Sequence, residues 1–530
     1  MQTNNRNEVN MASSVKVGKR KGEKNIFVTI LKIIIIVVLF LIQIVGMLLL
    51  YKTAEVIYMY ARVVYNIAKI ITVLYIIYHH DSAAYKISWI IFIMFVPVVG
   101  ILAYILWGRS KMRMKKELEL RKVRVYSENL LQNSKPILDE IKKVDKYKYN
   151  QAEYMTKISG YPIYKNHGVE YFEIGERFFD SLKKDLIKAE KYILMEFFIL
   201  ERGKLWDEVF EILKVKARQG VKIQLIFDSL GCLLKNTKNI KEELEKEGIE
   251  VCKFNPFSPI ISGYINYRDH RKIVVIDGRY GYTGGVNIAD EYVNLVSKFG
   301  HWKDVGIKIE GESVWSLAIM FLRTLEGITN QNVDYDWYKK SFKDLKKASG
   351  FVLPLADGPD NIKAPIENTY IQTINYAKDY VYMTTPYFII SEQLLTAMLN
   401  SARGGVDVRV IVPHIPDKKM VYLATRSYYE VLLEAGIKVY EYKPGFIHSK
   451  TFVADDDTAI VGTANLDFRS MHLNFEDIIW TYKTKEEQKI KQDFEDMLKD
   501  CIEIDLSTWQ ARPRITKMAE AVVAAFAPML

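Results

Sequence analysis

One pattern of eighteen residues occurs twice. HRKIVVIDGRYGYTGGVN (270–287) and HSKTFVADDDTAIVGTAN (448–465) share the spacing H-x-K-x4-D-x6-G-x2-N. His270, Lys272, Asp277, Gly284 and Asn287 therefore correspond to His448, Lys450, Asp455, Gly462 and Asn465. At average residue usage, five such positions match a given start roughly a few times in ten million. Two matches in one chain, at equivalent places in a longer repeat, require two similar halves.

The longer repeat gives each half its fold class. KYILMEFFIL (191–200) reads as a buried strand, followed by a helix ending in KARQG and by VKIQLIFD (221–228). YAKDYVYMTTPYFII (376–390), LLTAMLNSARGG and VDVRVIVP (406–413) repeat that order. KEGIEVCKFNP (246–256) then parallels EAGIKVYEYKP (434–444). Buried strands alternating with amphipathic helices imply a layered α/β unit. Recurrence at domain scale implies a duplication rather than a solenoid.

The motif also suggests chemistry. On a strand, residues two apart share a face, so each His–Lys pair points into the same space. If the halves close on each other, two imidazoles, two ammoniums and the amides of Asn287 and Asn465 converge, a set suited to a phosphodiester. Ammonium and amide donors hold the non-bridging oxygens. A neutral imidazole attacks phosphorus while a protonated one serves the leaving alkoxide. These roles call for two histidine pKa values pushed apart.

The lysines supply the positive charge, so no metal or cofactor is expected. Asp304 in HWKDVGIKI and Glu476 in NFEDIIWTY occupy parallel places, and each is a candidate to orient a histidine through its second ring nitrogen. Asp277 and Asp455 complete the candidate catalytic set of His270, Lys272, His448 and Lys450. Their position directly after the strand gives them a mainly structural part at a turn. The run Asp455–Asp457 reads as an acidic turn rather than a metal site.

The first hundred residues are of another kind. Ile26 to Tyr51 is apolar apart from Lys32 and Gln43, long enough for a helix to cross a ~30 Å hydrocarbon core and too long for a signal-peptide core. Ser88 to Trp107 reads as a second span with an aromatic, basic exit. Between them, Val56 to Tyr78 carries Arg62, Asn66 and Lys69 on one helical face. It reads either as interfacial or re-entrant, or as a third span.

Basic clusters precede the first span (Lys16, Lys19, Arg20, Lys21, Lys24) and follow the last (Lys111, Arg113, Lys115, Lys116, Arg121, Lys122, Arg124). Both flanks then lie in the cytoplasm, which favours two crossings. The net charge of +10 suits an anionic partner. Cys232, Cys252 and Cys501 are too scattered for a disulfide framework or a zinc site, and read as reduced packing residues. His79 and His80 read as interfacial.

The expected organisation is a basic N-terminus (1–25), a membrane anchor (26–109), a charged linker (110–150), two halves (151–340 and 341–508) and an apolar tail (509–530). The tail either packs on the core or touches the bilayer. The cluster Arg403, Lys418, Lys419 and Arg426 is either a solvated face or a site for anionic lipid.

The doubled motif resembles the HKD signature of the phospholipase D superfamily over roughly residues 160 to 505. GGVNIADEY, GTANLDFRSMHLNFE, the hydrophobic anchor and the tail ARPRITKMAEAVVAAFAPML resemble the bacterial cardiolipin synthases within it. The resemblance implies two phospholipase D-like α/β/α sandwich halves forming one catalytic unit behind transmembrane helices, in a multi-pass protein of the bacterial cell membrane with a cytoplasmic catalytic region. It implies transfer of a phosphatidyl group from one phosphatidylglycerol to another through a phosphohistidine, releasing glycerol and giving cardiolipin. His270 would be the nucleophile, with His448 as acid and then base.

No nucleic acid partner is expected. A membrane-anchored hydrolase or nuclease using water as acceptor is the alternative, with the same residues. A retired, non-catalytic scaffold would have lost a motif His or Lys, and all four are present. A synthase using CDP-diacylglycerol and metal-binding aspartates would need an acidic cluster on its membrane helices, and none is found.

Overall fold

The computed structural model describes residues 41–47 and, with short gaps that include 257–265, residues 55–108 and 122–527. The chain divides into two compact units, Met1–Ile105 and Leu106–Leu530.

In the first unit, most of the expected 26–51 span and the basic cluster before it lie outside the described residues. So do Lys111, Arg113, Lys115, Lys116 and Arg121 of the cluster that follows. Glu55–Tyr78 is a 24-residue helix. Its Met59–Tyr78 part is the one helix among the described residues long and apolar enough to cross a membrane. Its Ile70, Ile71 and Leu74 are exposed, so it is not the core helix of a soluble fold.

The stretch 88–107, read above as a single span, is broken. Ala83–Phe95 is a helix of 13 residues, about 20 Å long and too short for the hydrocarbon core. The chain resumes as Val99–Ala103 and a π-helical turn, Tyr104–Gly108. The cause is Pro97, which lacks an amide donor and disfavours helical backbone in the residue before it. Val96 is non-helical and Val98 has φ +58°. Gly100 permits the return, since a Cβ there would lie 2.8 Å from Ile93 Cα.

The second unit contains two sheets of the same design. The first has seven strands in the order Val169–Phe172, Gly306–Glu310, Tyr280–Gly284, Ile273–Ile276, Tyr192–Phe197, Lys222–Asp228, Glu250–Phe254. The second repeats this as Phe351–Asp357, Asn474–Tyr482, Thr458–Gly462, Thr451–Ala454, Tyr380–Thr384, Asp407–Pro413, Lys438–Tyr442. It adds Tyr164–Lys165 at one edge and Cys501–Glu503 at the other. The last three strands of each seven-strand set are mutually parallel, and the innermost of them, Tyr192–Phe197 and Tyr380–Thr384, are buried on both faces.

Period-two alternation separates two cores. Leu194, Ile273 and Val275 of the first sheet join Leu353, Val381 and Ile479 of the second in one cluster, so the sheets bury facing surfaces. Ile193, Met195, Val274 and Ile276, one residue out of phase, face Phe178, Phe179, Leu205 and Val209 of the outer helices Gly175–Ile187 and Lys204–Arg218. Val314–Thr329 is apolar on every side from Val314 to Leu322 and is buried in the shared core, as such a helix must be.

The described part of the charged linker packs on the two halves, with Arg124 3.4 Å from Asp360 and Trp315 donating to Leu130 O at 3.2 Å. Lys135–Val144 and Lys146–Ser159 form two helices, and the second docks on the second half. Lys148 pairs with Asp457 at 3.0 Å, and Gln151 donates to Thr373 at 3.2 Å. The tail also packs on the core up to Ala527, through Val523 and Ala527 against Val421 and Ala424. Residues 528–530 lie outside the described set.

Candidate active site

Each motif histidine directly follows a short strand, Arg268–Asp269 or Gly445–Ile447, and its lysine directly precedes the next strand, Ile273–Ile276 or Thr451–Ala454. His270 and His448 are 8% and 6% exposed, and Lys272 and Lys450 each 1%. Each lysine folds back, so that its ammonium donates to the carbonyl oxygen of the histidine two residues before it, at 2.5 Å. Lys450 Nζ also lies 2.9 and 3.2 Å from the two ring nitrogens of His448.

The orienting carboxylates are exchanged between the halves. His270 Nδ1 lies 2.9 Å from both oxygens of Glu476, which belongs to the second half. His448 Nδ1 lies 2.7 Å from Asp304 Oδ2, which belongs to the first. Backbone pairing enforces the exchange. Arg268–Asp269 runs parallel to Asn474–Phe475, and the His270 amide donates to Phe475 O at 2.9 Å. Gly445–Ile447 runs parallel to His301–Lys303, and the His448 amide donates to Lys303 O at 2.7 Å.

Each half thus reaches across by one short strand and sets its histidine beside the other half's carboxylate. A carboxylate at Nδ1 selects the Nδ1–H tautomer and leaves the Nε2 lone pair for chemistry. Both lysines lie within electrostatic reach of both carboxylates, so the two dyads form one site.

The carboxylates are themselves held. Thr463 Oγ1 donates to Glu476 Oε2 at 2.6 Å, and Asn474 Nδ2 donates to Oε1 at 3.1 Å. The Val305 amide donates to Asp304 Oδ1 at 2.9 Å. A Cβ at position 285 would fall 1.9 Å from that same oxygen, so only glycine lets Asp304 in. Aromatic rings border the imidazoles: Phe198 at 5.1 Å from His270, Tyr292 and Trp302 at 5.6 and 5.3 Å from His448. These rings, Thr463, Asn474 and Gly285 were not legible beforehand. Position in the repeat marks the motif residues, but nothing local marks a ring that arrives from another strand.

Asp277 and Asp455 lie away from this chemistry. Both have φ +53°, and their carboxylates face backbone amides. Asp277 accepts from Glu190, Lys191 and Tyr192, all at 2.8 Å; Asp455 accepts from Lys378, Asp379 and Tyr380 at 2.8–3.1 Å. They tie the turn after the motif strand to the start of its neighbour and are not catalytic groups. In the same acidic turn, Asp456 pairs with Lys491 and Asp457 with Lys148.

The asparagines also differ from expectation, because their amides are committed within the protein. Asn287 accepts from the Ile199 amide and donates to Tyr292 Oη, both at 2.9 Å. Asn465 Nδ2 donates to Asp467 at 3.2 Å, while its buried Oδ1 lacks a hydrogen-bond partner. Positive charge in the site therefore comes from the two lysines.

The site's electrostatics depress both imidazoles. Burial, then Lys272, Lys450 and Lys418, hold His270 well below its ordinary value. Burial and Lys450 bring His448 down to about 4. Burial also lowers Lys272 to about 8 and Lys450 to about 7, and raises Glu476 to about 7. The two buried ammoniums favour an added negative charge, which a phosphodiester supplies. That anion favours the protonated forms of the lysines and of one imidazole.

The halves differ under the histidines. Arg271, on the opposite face from His270 and Lys272, pairs with Glu196 at 2.9 Å and Asp269 at 3.0 Å, and donates to Thr324. At the matching places of the second half, Ser449 donates to Thr384 at 2.8 Å. A cavity of about 360 Å³ lies beside Arg271, lined also by Lys253, Arg323, Asp357 and Phe475 rather than by the motif histidines.

Comparison with known proteins agrees with this geometry. Residues 182–299 and 370–498 match the family model described as cardiolipin synthase, PLD-like domain, and residues 67–109 match the phospholipase D-nuclease N-terminal family. The cardiolipin synthase of Geobacillus kaustophilus is 35% identical over 451 residues, 84% of this chain and 89% of that one. An uncharacterized protein of Streptococcus mutans is 38% identical over 464 residues, 87% of this chain and 99% of that one. The phosphatidylserine synthase structure from Haemophilus influenzae superimposes with TM-score 0.54 at 15% identity, covering 71% of this chain and all of that one, a likeness of fold. Doubled motif, exchanged dyads and sequence relatives converge: the chain belongs to the cardiolipin synthase family of phospholipase D-like proteins.

Proposed function

We propose that this protein is a phosphatidyltransferase that makes cardiolipin from two molecules of phosphatidylglycerol. The observation that carries the reading is the crosswise pairing of His270 with Glu476 and His448 with Asp304 around two buried lysines. Relatives at 33–35% identity over most of the chain are cardiolipin synthases, which supports the same substrate class.

The phosphodiester of one phosphatidylglycerol sits between the imidazoles, its non-bridging oxygens facing Lys272 and Lys450. His270 Nε2 attacks phosphorus while its Nδ1–H faces Glu476. The bond to the glycerol oxygen breaks, and that oxygen takes a proton from His448, whose imidazolium Asp304 stabilises. Glycerol leaves. A hydroxyl of a second phosphatidylglycerol then gives its proton to His448 and attacks phosphorus, the P–N bond to His270 breaks, and cardiolipin departs. Ordering the substrate between two preset imidazoles and two fixed ammoniums supplies the rate enhancement.

Sequence patterning supports a multi-pass anchor with the catalytic region on the cytoplasmic side, where the basic flanks would lie. The test is to mix purified protein with phosphatidylglycerol vesicles, without nucleotide and with EDTA, and to measure lipids and released glycerol. Cardiolipin and glycerol in equal amounts are expected. Phosphatidic acid as the main product would make the acceptor water, and loss of activity on chelation would refute a mechanism in which lysines alone supply the positive charge.

A further inference from the structure

The C-terminal helix Arg514–Phe526 has its polarity inside out. Its one carboxylate, Glu520, is 2% exposed. Arg512 grips it with Nη1 and Nη2 at 2.8 and 3.0 Å, and Arg426 adds a contact at 3.4 Å. Both guanidiniums stack on Trp509, at 3.3 and 4.6 Å from the ring centre. This clamp, with Val523 and Ala527 against Val421 and Ala424, fixes the helix on its neighbour Lys419–Arg426.

The outward face carries Ile515, Met518 and Val522, which are 73%, 63% and 58% exposed. Their spacing of three and four puts them on one stripe. A water-facing helix buries its aliphatics and exposes its charges; this one exposes three aliphatics and buries its only carboxylate. The neighbouring helix adds the exposed Met420. Lys418, Lys419 and Arg514 are exposed around the stripe, and neither helix exposes a carboxylate. The surface is apolar with a mainly cationic border, the nearby Glu430 being held by Lys517 at 3.1 Å.

Its place in the fold is next to the chemistry. Lys418 is close enough to His270 to hold its pKa down, and Tyr387 donates to Asp417 at 2.5 Å. The strand Phe388–Ile389 pairs with Leu466–Asp467, directly after Asn465. The first half contributes Leu295 and Val296, also exposed, just past the Tyr292 ring that borders His448.

We propose that the outward face of the C-terminal helix, with Met420 and the flanking Lys418, Lys419 and Arg514, is a docking surface for an anionic bilayer. It seats the catalytic region on the membrane independently of the N-terminal anchor. The inference rests on the lipid-transfer reading and deepens it: an anchor brings the catalytic region near the lipid, whereas this face sets the mouth of the site on the headgroup layer. Aliphatic insertion and cationic attraction to anionic headgroups are the two forces that hold interfacial helices.

The test uses the full chain with Ile515→Asp, Met518→Asp and Val522→Asp combined. Transfer is measured on phosphatidylglycerol vesicles and, in parallel, on a short-chain phosphatidylglycerol dispersed as monomers. Turnover on vesicles should fall about tenfold or more, because the local concentration of substrate at the site is lost. Turnover on the dispersed substrate should change less than about twofold, since no residue of the site is altered.

Equal loss in both arms, or no loss on vesicles, overturns the proposal. So does a shift in oligomeric state of the variant by light scattering, which would make the face a contact between copies. Failure of the unaltered protein on both substrates strikes the lipid-transfer reading itself.

Discussion

Replacing Asp304 with asparagine removes one charge from the site and almost no volume. Asp304 is fully buried, with Oδ1 accepting from the Val305 amide at 2.9 Å and Oδ2 facing His448 Nδ1 at 2.7 Å. In the variant the Val305 amide still demands an acceptor, so the side-chain oxygen stays on that side and the NH2 group turns to His448. An NH2 donor at Nδ1 forces the ring proton onto Nε2, the wrong tautomer for proton exchange with substrate. The same inversion in a Ser-His-Asp site costs ~10⁴ in kcat. At ~1.4 kcal/mol per tenfold, that is a barrier increase of about 5.5 kcal/mol.

If only a charged hydrogen bond were lost, ~1.5–3 kcal/mol, the loss would be roughly 10- to 150-fold. The expected kcat loss therefore lies between about 10 and 10⁴. Glycerol release and cardiolipin formation from phosphatidylglycerol measure it, with a thermal melt to show an intact fold. A phosphatidyl ester of p-nitrophenol sharpens the test, because that leaving group needs no proton. With it, Asp304→Asn should recover most of its first-step rate, whereas Glu476→Gln, which misdirects the nucleophile, should not. A variant within tenfold of the unaltered enzyme, or equal recovery in both variants, would refute the dyad argument.

Three further outcomes follow from the same geometry. Lys272 and Lys450, lowered to about 8 and about 7, lose their protons as pH rises through those values. Free enzyme then loses its phosphate-binding charge, so kcat/KM should decline above about pH 7, while the nucleophile, depressed well below its ordinary value, keeps an acid limb away from neutral pH. Asp277→Ala and Asp455→Ala each strand three backbone amides and should lower the melting temperature by several degrees, at a cost of ~1–3 kcal/mol, with kcat of the folded protein nearly unchanged. Arg271→Met leaves Glu196 and Asp269 buried without their cation and should cost ~3–5 kcal/mol in denaturant unfolding.

Much of the site was legible because it is repeated. Two copies of a spaced motif identify both histidines and both lysines, and parallel places after them identify Asp304 and Glu476. Other features depend on groups that meet only after folding. The aspartates of the motif look catalytic as letters, but the left-handed turn spends their oxygens on backbone amides. Asn287 looks like a free donor until Tyr292 and the Ile199 amide occupy it. Arg271 stands in the variable place between His270 and Lys272. Only the partner strand, with Glu196 where the second half has Thr384, reveals its ion pair. Hydropathy placed a span over 88–107 because averaging over a window hides one proline, and the backbone does not.

The linear order of residues by itself determined the duplicated α/β architecture, the apolar N-terminal region and which residues are candidates to react. Periodicity, spacing and residue type are local quantities that a chain carries before it folds. Which carboxylate serves which histidine was decided by tertiary structure alone. Two short parallel pairings, 268–269 with 474–475 and 445–447 with 301–303, carry each imidazole across to the opposite half. The pKa shifts arise there as well, since burial and the summed field of two lysines exist only once the halves have closed around them.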